Sequence, residues 1–323
     1  MRYVESPMGT PVSVIGLGTW QFGSSEWGYG TEYEERSSSL VRRALDSGIT
    51  LVDTAEIYGR GRSERLVGAA LAERRAEAVV ATKIFPVLPI APVVEQRAVA
   101  SAARLGVRRL DLYQVHQPNP VVSDTRTMAG MRALQDVGLV DQVGVSNYSL
   151  DRWVAAEAAL GRPVLSNQVQ YSLAHRGPED DLLPYAAERG RLVIAYSPLA
   201  QGLLSGRYSA ANPPSGRVRR INPLFLPVNL ERAERLLATL REVADAHDVS
   251  MSQAALAYLV HHPGVVAIPG ASSVAQVESN AAAGDIELRD DEVAALAAVA
   301  RDFEPITGRH AVGPLLRSAR KRR

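Results

Sequence analysis

Residues 50–83 read TLVDTAEIYGRGRSERLVGAALAERRAEAVVATK, and this stretch decides the fold. It opens on a short apolar run, Thr50 to Asp53, and closes on another, Ala78 to Thr82. Between them, Ser63 to Ala72 carries apolar residues at helical spacing, so the stretch spells strand, helix and strand. Both strand runs are apolar almost throughout instead of alternating, as strands covered on both faces are.

The same unit recurs along the chain. Further strand runs are Val14 to Gly18, Leu110 to Val115, Gln142 to Val145, Val164 to Val169, Leu192 to Tyr196 and Val265 to Ile268, making eight. Helical patterns at Glu34 to Ser47, Val93 to Leu105, Thr127 to Val137, Leu150 to Leu160 and Leu182 to Glu188 separate them. Ser47-Gly48 and Arg189-Gly190 place glycine where a helix end takes a positive φ. Eight parallel, doubly covered strands predict an α/β fold of the (β/α)8 TIM-barrel kind, with a doubly wound sheet as the alternative. Tyr3 to Val12, turning at Pro7-Met8-Gly9-Thr10, reads as a hairpin that plugs the barrel bottom. Between the seventh and eighth strands lies an insert: a loop, Gln201 to Asn229, expected to act as a lid, then helices near Leu230 to His247 and Met251 to His261. A single barrel domain is expected over residues 1–310, including an extra C-terminal helix, followed by a basic tail, 311–323, solvated and frayed.

The 323 residues, 46% hydrophobic and 22% charged, suffice for one such barrel. With 36 basic against 35 acidic side chains the net charge is +1, so no global field draws the chain to nucleic acid or a membrane, and a small neutral ligand suits it. Absent cysteine excludes disulfides, thiolate metal sites and a cysteine nucleophile. Arg2 and Glu5 precede no signal-like apolar segment, and no run approaches the roughly 18 residues of a spanning helix, so a cytoplasmic protein is expected. Oligomeric state leaves no trace in the sequence.

In a parallel barrel the working side chains close the strands at their C-terminal ends. Here Leu51-Val52 runs into Asp53, Ala81-Thr82 into Lys83 and Gln114-Val115 into His116, while Tyr58 follows Asp53 in the next loop. Each has an ordinary structural use, but four titratable groups at one mouth suggest proton transfer. A phenol is a poor acid at neutral pH, and Lys83 is the expected cation to lower its pKa, itself paired with Asp53. His116 would orient a carbonyl oxygen. This is half of a carbonyl reduction; the hydride has to come from a cofactor. Asp53 beside Lys83 makes a poor metal site, which counts against a metal-dependent hydrolase or isomerase.

The run Asp53-Thr54-Ala55-Glu56-Ile57-Tyr58-Gly59 with Ser63-Glu64 and Leu66-Val67-Gly68 resembles the aldo-keto reductase signature, as do Leu110 to Pro118, Gly144 to Tyr148 and Ala195 to Leu199. That resemblance implies NADPH-dependent reduction of an aldehyde or ketone by a tetrad of Asp53, Tyr58, Lys83 and His116. It also implies a nicotinamide amide on Ser146, Asn147 and Gln168, a ring stacked on Tyr196, and Gly18-Thr19-Trp20 close by. The remaining cofactor contacts it implies are Asp53, Ser197, Pro198, Leu199 and Gln201, then Ile268, Gly270, Ala271, Ser272, Ser273, Gln276 and Asn280.

Gly16-Leu17-Gly18 has Gln21 where a dinucleotide fingerprint needs its third glycine, so phosphate is expected at the helix after the eighth strand. Related reductases carry an arginine at the position of Gln276 and a glutamate at that of Ser279. Gln276 instead completes a capping box begun by Ser273, which weakens the expected preference for NADP(H) and keeps NAD(H) open. Arg207, Arg217, Arg219 and Arg220 are candidates to compensate. Trp20, Trp27, Tyr58, Phe85, His116 and Phe225 are the expected substrate pocket, with Phe22 and Tyr29 as further aromatics; His247, His261 and His262 receive no role. The competing reading is an NADP(H)-binding regulatory subunit with little turnover, similar to potassium-channel β subunits.

Overall fold

A computed structural model of the chain describes residues 1–22 and 32–321. β1 (Tyr3–Val4) and β2 (Val12–Ser13) pair antiparallel, forming the expected hairpin. Eight strands then run parallel in chain order: β3 (Leu17–Gly18), β4 (Leu51–Asp53), β5 (Val79–Ile84), β6 (Leu110–Val115), β7 (Val140–Ser146), β8 (Ser166–Gln170), β9 (Leu192–Tyr196) and β10 (Val265–Ala267). Parallel bridges Ile15 to Ala267 and Gly18 to Gly270 join the first barrel strand to the last. Gly16 N–H donates to Ala267 O at 2.8 Å, and Ala267 N–H to Val14 O at 2.9 Å. The sheet therefore closes on itself, which excludes the doubly wound alternative.

Helices α1 (Glu32–Asp46), α2 (Arg62–Leu71), α3 (Ala91–Leu105), α4 (Asp124–Asp136), α5 (Leu150–Leu160) and α6 (Leu182–Arg189) alternate with the strands. α5 shows the local logic: the Ser149 side chain accepts from Arg152 N–H at its start, and Gly161 ends it at φ 70°. The insert after β9 holds α7 (Arg217–Ile221), α8 (Pro227–Arg232), α9 (Glu234–Ala246) and α10 (Met251–His261). The expected loop is instead largely built of short helical turns. Phe225, Leu226 and Leu230 are buried, and Asn229 ties the insert to Ile306 through bonds of 3.0 and 2.8 Å.

After β10 come α11 (Val274–Ala282), α12 (Asp290–Arg301) and α13 (Gly308–Lys321). The boundary expected at residue 310 falls inside α13, so the segment read as frayed is helical as far as Lys321. Arg322 and Arg323 lie outside the described residues.

Alternation within each strand sorts two cores. Val52, Val80, Tyr113, Val143 and Val193 face the helices. Leu51, Val79, Ala81, Leu112, Leu192, Ile194 and Val266 fill the lumen together with Met8 and Val12 of the hairpin, which closes the bottom as expected. The same alternation carries Asp53 above Leu51, Lys83 above Ala81 and Gln114 above Leu112. The apolar floor is thus topped by a polar layer at the strands' C-terminal ends.

Candidate active site

Lys83 is wholly buried, and its Nζ lies 2.6 and 2.8 Å from the two Asp53 carboxylate oxygens. Its third close partner is the Thr54 carbonyl oxygen at 2.8 Å, and the Tyr58 hydroxyl stands off at 3.4 Å. Burial pushes Asp53 up and Lys83 down, each opposed by the other's charge. With three ammonium donors against this set of oxygens, we read the pair as ionic. Gln168 Nε2 donates to Asp53 Oδ1 at 2.7 Å.

The expectation that Lys83 lowers the Tyr58 pKa is not met. Burial first, then the charge of Asp53 and the neighbouring Tyr196, raise the phenol well above its ordinary value. Asp53 and Thr54 take the shortest bonds of the ammonium, and the Asp53 carboxylate raises the phenol alongside burial. The ammonium does lie 5.1 Å from the Tyr58 ring centroid.

His116 follows β6 and stands edge-on to Tyr58, ring centroids 5.7 Å apart, and edge-on to Phe85 at 6.0 Å. Its Nδ1 is buried with no hydrogen-bond partner. Burial and the nearby Lys83 push the imidazole down to about 3, so the ring is neutral at physiological pH.

Ser146, Asn147, Gln168 and Tyr196 gather on the adjoining strand ends. Ser146 Oγ donates to Gln168 O at 2.8 Å. Asn147, held at φ 60°, donates to His116 O at 3.2 Å and to Ser146 Oγ at 3.0 Å, and accepts from the Tyr196 hydroxyl at 2.9 Å. Its side chain is a bridge across the mouth, while Gln168 spends an amide N–H on Asp53. Past Tyr196 the chain turns through left-handed Ser197, Ala200 and Gln201, with Pro198 and Leu199 between them. Gln201 Oε1 is buried without a partner.

Gly18 meets the end of β10 so closely that a Cβ there would lie 2.7 Å from Ile268 O. Thr19 is buried, its hydroxyl bonded to Asp53 O and Ser63 Oγ, both at 2.8 Å. Gln21, the residue that breaks the dinucleotide fingerprint, donates across the seam to Ala271 O at 2.9 Å, and Gly270 leaves the space its side chain fills.

At α11, Ser273 Oγ accepts from Gln276 N–H as expected. The reciprocal half of the capping box is displaced by one residue: Gln276 Oε1 accepts from Ser272 N–H at 2.7 Å and from its hydroxyl at 2.9 Å. Asn280 is buried on the same helix.

Of the expected pocket aromatics, Phe85 reaches His116 and Trp20 is 44% exposed just past β3. Phe225 is buried edge-on to Tyr208 at 5.4 Å, inside the insert. Phe22 is core, and Trp27 and Tyr29 lie outside the described residues. Among the described residues no cluster of three or more His, Asp or Glu side chains forms a metal site, and no helix is long and apolar enough to cross a membrane.

Sequence reading missed the Thr54 carbonyl that completes the lysine's shell, and the Glu56–Arg97 pair that brackets Phe85. Arg97 Nε donates to Glu56 Oε2 at 2.9 Å. Glu56 stood inside the signature run, in the turn after β4, but its partner lies on α3.

The Aldo/keto reductase family model matches residues 14–301. An uncharacterized oxidoreductase of Mycobacterium tuberculosis is 57% identical over 311 residues, covering 96% of each chain. The methylglyoxal reductase of Escherichia coli is 34% identical over 283 residues, covering 87% of this chain and 89% of its own. The crystal structure of an aldo-keto reductase from Klebsiella pneumoniae in complex with NADPH superposes with a TM-score of 0.76 at 30% identity, covering 94% of this chain and 95% of that one. A closed eight-stranded barrel with Asp53, Tyr58, Lys83 and His116 at its mouth, matched over most of its length, places this chain among the oxidoreductases of the aldo/keto reductase family.

Proposed function

We propose that the protein reduces an aldehyde or ketone to an alcohol with NADP(H), the proton coming from Tyr58. The observation that carries the reading is the convergence of a neutral imidazole, a protonated phenol and a buried ion pair at one barrel mouth.

The chain suits the cofactor. Gln201 Oε1 is a buried acceptor without a partner, and Gln168 has an amide N–H on Asp53 Oδ1. Ser146, Asn147 and Gln168 would hold the carboxamide, and Tyr196, its hydroxyl fixed by Asn147, would present a ring face to the nicotinamide. Ser197 to Gln201 and the residues from Ile268 to Asn280 would take the remainder, with phosphate at the start of α11. When bound, NADPH supplies a hydride. The similarity to the Klebsiella reductase crystallised with NADPH supports this choice.

His116 orients the carbonyl oxygen as a neutral donor, since its imidazole carries no proton charge near pH 7. Tyr58 then protonates the developing alkoxide. An alkoxide is a stronger base than a phenolate, so a phenol of raised pKa still gives up its proton, and does so only once that charge has formed. Lys83, anchored by Asp53 and Thr54, balances the charge left on the tyrosine.

Tyr58→Phe tests the reading. NADPH consumption across a panel of aldehydes and ketones should fall by about 100-fold or more, with cofactor binding retained. Near-normal turnover in a folded variant would remove Tyr58 from the donor role, and no turnover by the unaltered protein on a broad panel would favour a regulatory subunit.

A further inference from the structure

Catalytic imidazoles are usually oriented by a hydrogen bond at the nitrogen that does not face substrate. His116 lacks one: its Nδ1 is buried and unpartnered. What holds the ring is packing, with Tyr58 on one edge and Phe85 on another.

Phe85 is fixed in turn through its backbone. Its N–H donates to Glu56 Oε1, and its carbonyl oxygen accepts from Arg97 Nη1 at 2.9 Å. Arg97 closes the ring on Glu56, Nε to Oε2 at 2.9 Å and Nη2 to Oε1 at 2.8 Å. The Glu56 side chain is only 9% exposed, so the fork works in a poorly hydrated setting where paired charges hold their geometry. Glu56 N–H donates to Lys83 O at 3.3 Å, and His116 N–H to Ile84 O at 3.0 Å. The clamp therefore spans the end of β5 that bears Lys83, the loop that bears Tyr58, and the strand end that bears His116. Asn119 Nδ2 and Thr127 Oγ1 pin the next carbonyls, Pro86 at 2.7 Å and Pro89 at 2.9 Å, so this loop is fastened along its length.

We infer that Glu56 and Arg97 are positioning residues for the reduction, acting through the Phe85 backbone to aim the His116 imidazole at the carbonyl oxygen. The inference rests on the reductase reading above. Neither side chain touches the reacting atoms; each sets the angle of a ring that does.

Arg97→Lys keeps the charge and removes the fork, and Phe85→Leu removes the ring edge. Each should lower kcat by about tenfold with NADPH affinity unchanged within about twofold, because a misaimed donor weakens transition-state contacts and leaves cofactor binding alone. The double variant should be no slower than the worse single one, since both act through one contact. Phe85→Tyr, which keeps the edge, should restore the rate. Ring-labelled histidine NMR, with His116 assigned by His116→Gln, adds a readout independent of turnover: one sharp His116 signal in the unaltered protein, broadened or doubled in Arg97→Lys. A folded Arg97→Lys protein with full kcat, additive losses in the double variant, or an unchanged His116 signal would overturn the inference. Were the protein to reduce no carbonyl, the reductase reading would fail, and the NMR comparison would still decide whether the clamp orients the ring.

Discussion

Gln168 and Lys83 share one oxygen: Nε2 of the first and Nζ of the second reach Asp53 Oδ1 at 2.7 and 2.6 Å. A residue proposed to hold the cofactor amide is thereby wired to the ion pair behind Tyr58. Gln168→Ala removes a donor to a buried carboxylate and should cost about 2 kcal/mol of stability, read from urea unfolding of the cofactor-free protein. A loss within experimental error would show that the bond contributes nothing to the fold.

The pair itself should reveal its burial when halved. Asp53→Ala leaves Lys83 without its counter-charge inside the barrel, and should destabilise the protein by about 3–5 kcal/mol. Asp53→Ala combined with Lys83→Met should recover much of that, although neither variant should reduce carbonyls. Equal unfolding midpoints for the single and double variants would contradict the ionic reading.

Acid sensitivity follows from His116. Its folded pKa of about 3 lies below the ordinary 6.5, so between these values the unfolded chain binds more protons than the folded one. Stability should therefore decline as pH falls through 6.5 towards 3, and be indifferent to this group above 7. His116→Gln should flatten that part of the profile. At the alkaline end the raised Tyr58 phenol stays protonated, so reduction should show no loss from its ionisation up to about pH 9. Thermal unfolding and initial rates across the range check both.

Barrel closure depends on Gly18. A methyl group there would sit 2.7 Å from the Ile268 carbonyl oxygen, backbone that cannot swing aside. Gly18→Ala should cost about 1–3 kcal/mol and weaken cofactor binding at the same seam. Unchanged melting and unchanged binding would mean the seam yields without penalty.

Gln276→Arg tests the far end of the cofactor. A guanidinium at the start of α11 should favour NADPH over NADH by about tenfold relative to the unaltered protein. Because Gln276 Oε1 would no longer accept from Ser272, a small fall in stability should accompany the gain. The unaltered protein should prefer NADPH modestly; tighter NADH binding in titration would reverse that expectation.

The barrel was legible because its evidence is local: Leu51 to Asp53 and Val79 to Lys83 read as strands from a few residues each, and both strand ends follow from a period of two. The catalytic candidates were legible for the same reason. What escaped depends on distance or on sums. The Glu56–Arg97 pair is 41 residues apart in sequence, and only the β5 end brings Phe85 between them. The sign of the Tyr58 shift comes first from burial, with Asp53 and Tyr196 acting in the same direction, and a sequence reveals the charges without saying how deeply the phenol is buried. Gln276 missed its predicted partner by one residue because Ser272, rather than Ser273, turns its N–H toward the helix face. The stretch Gln201 to Asn229 was read as a loop because its packing, Tyr208 on Phe225 and Asn229 on Ile306, joins residues separated in sequence.

The hairpin beneath the strands has a consequence for traffic. With Met8 and Val12 seated among Leu51, Val79, Leu112 and Leu192, the barrel is a vessel with a floor and one rim. Whatever reaches Tyr58 enters and leaves past the same loops, so under the proposed function substrate, alcohol and cofactor share a common doorway. Scope is then a property of that doorway, and it can be reshaped by exchanging loop residues while the floor keeps the strands in register.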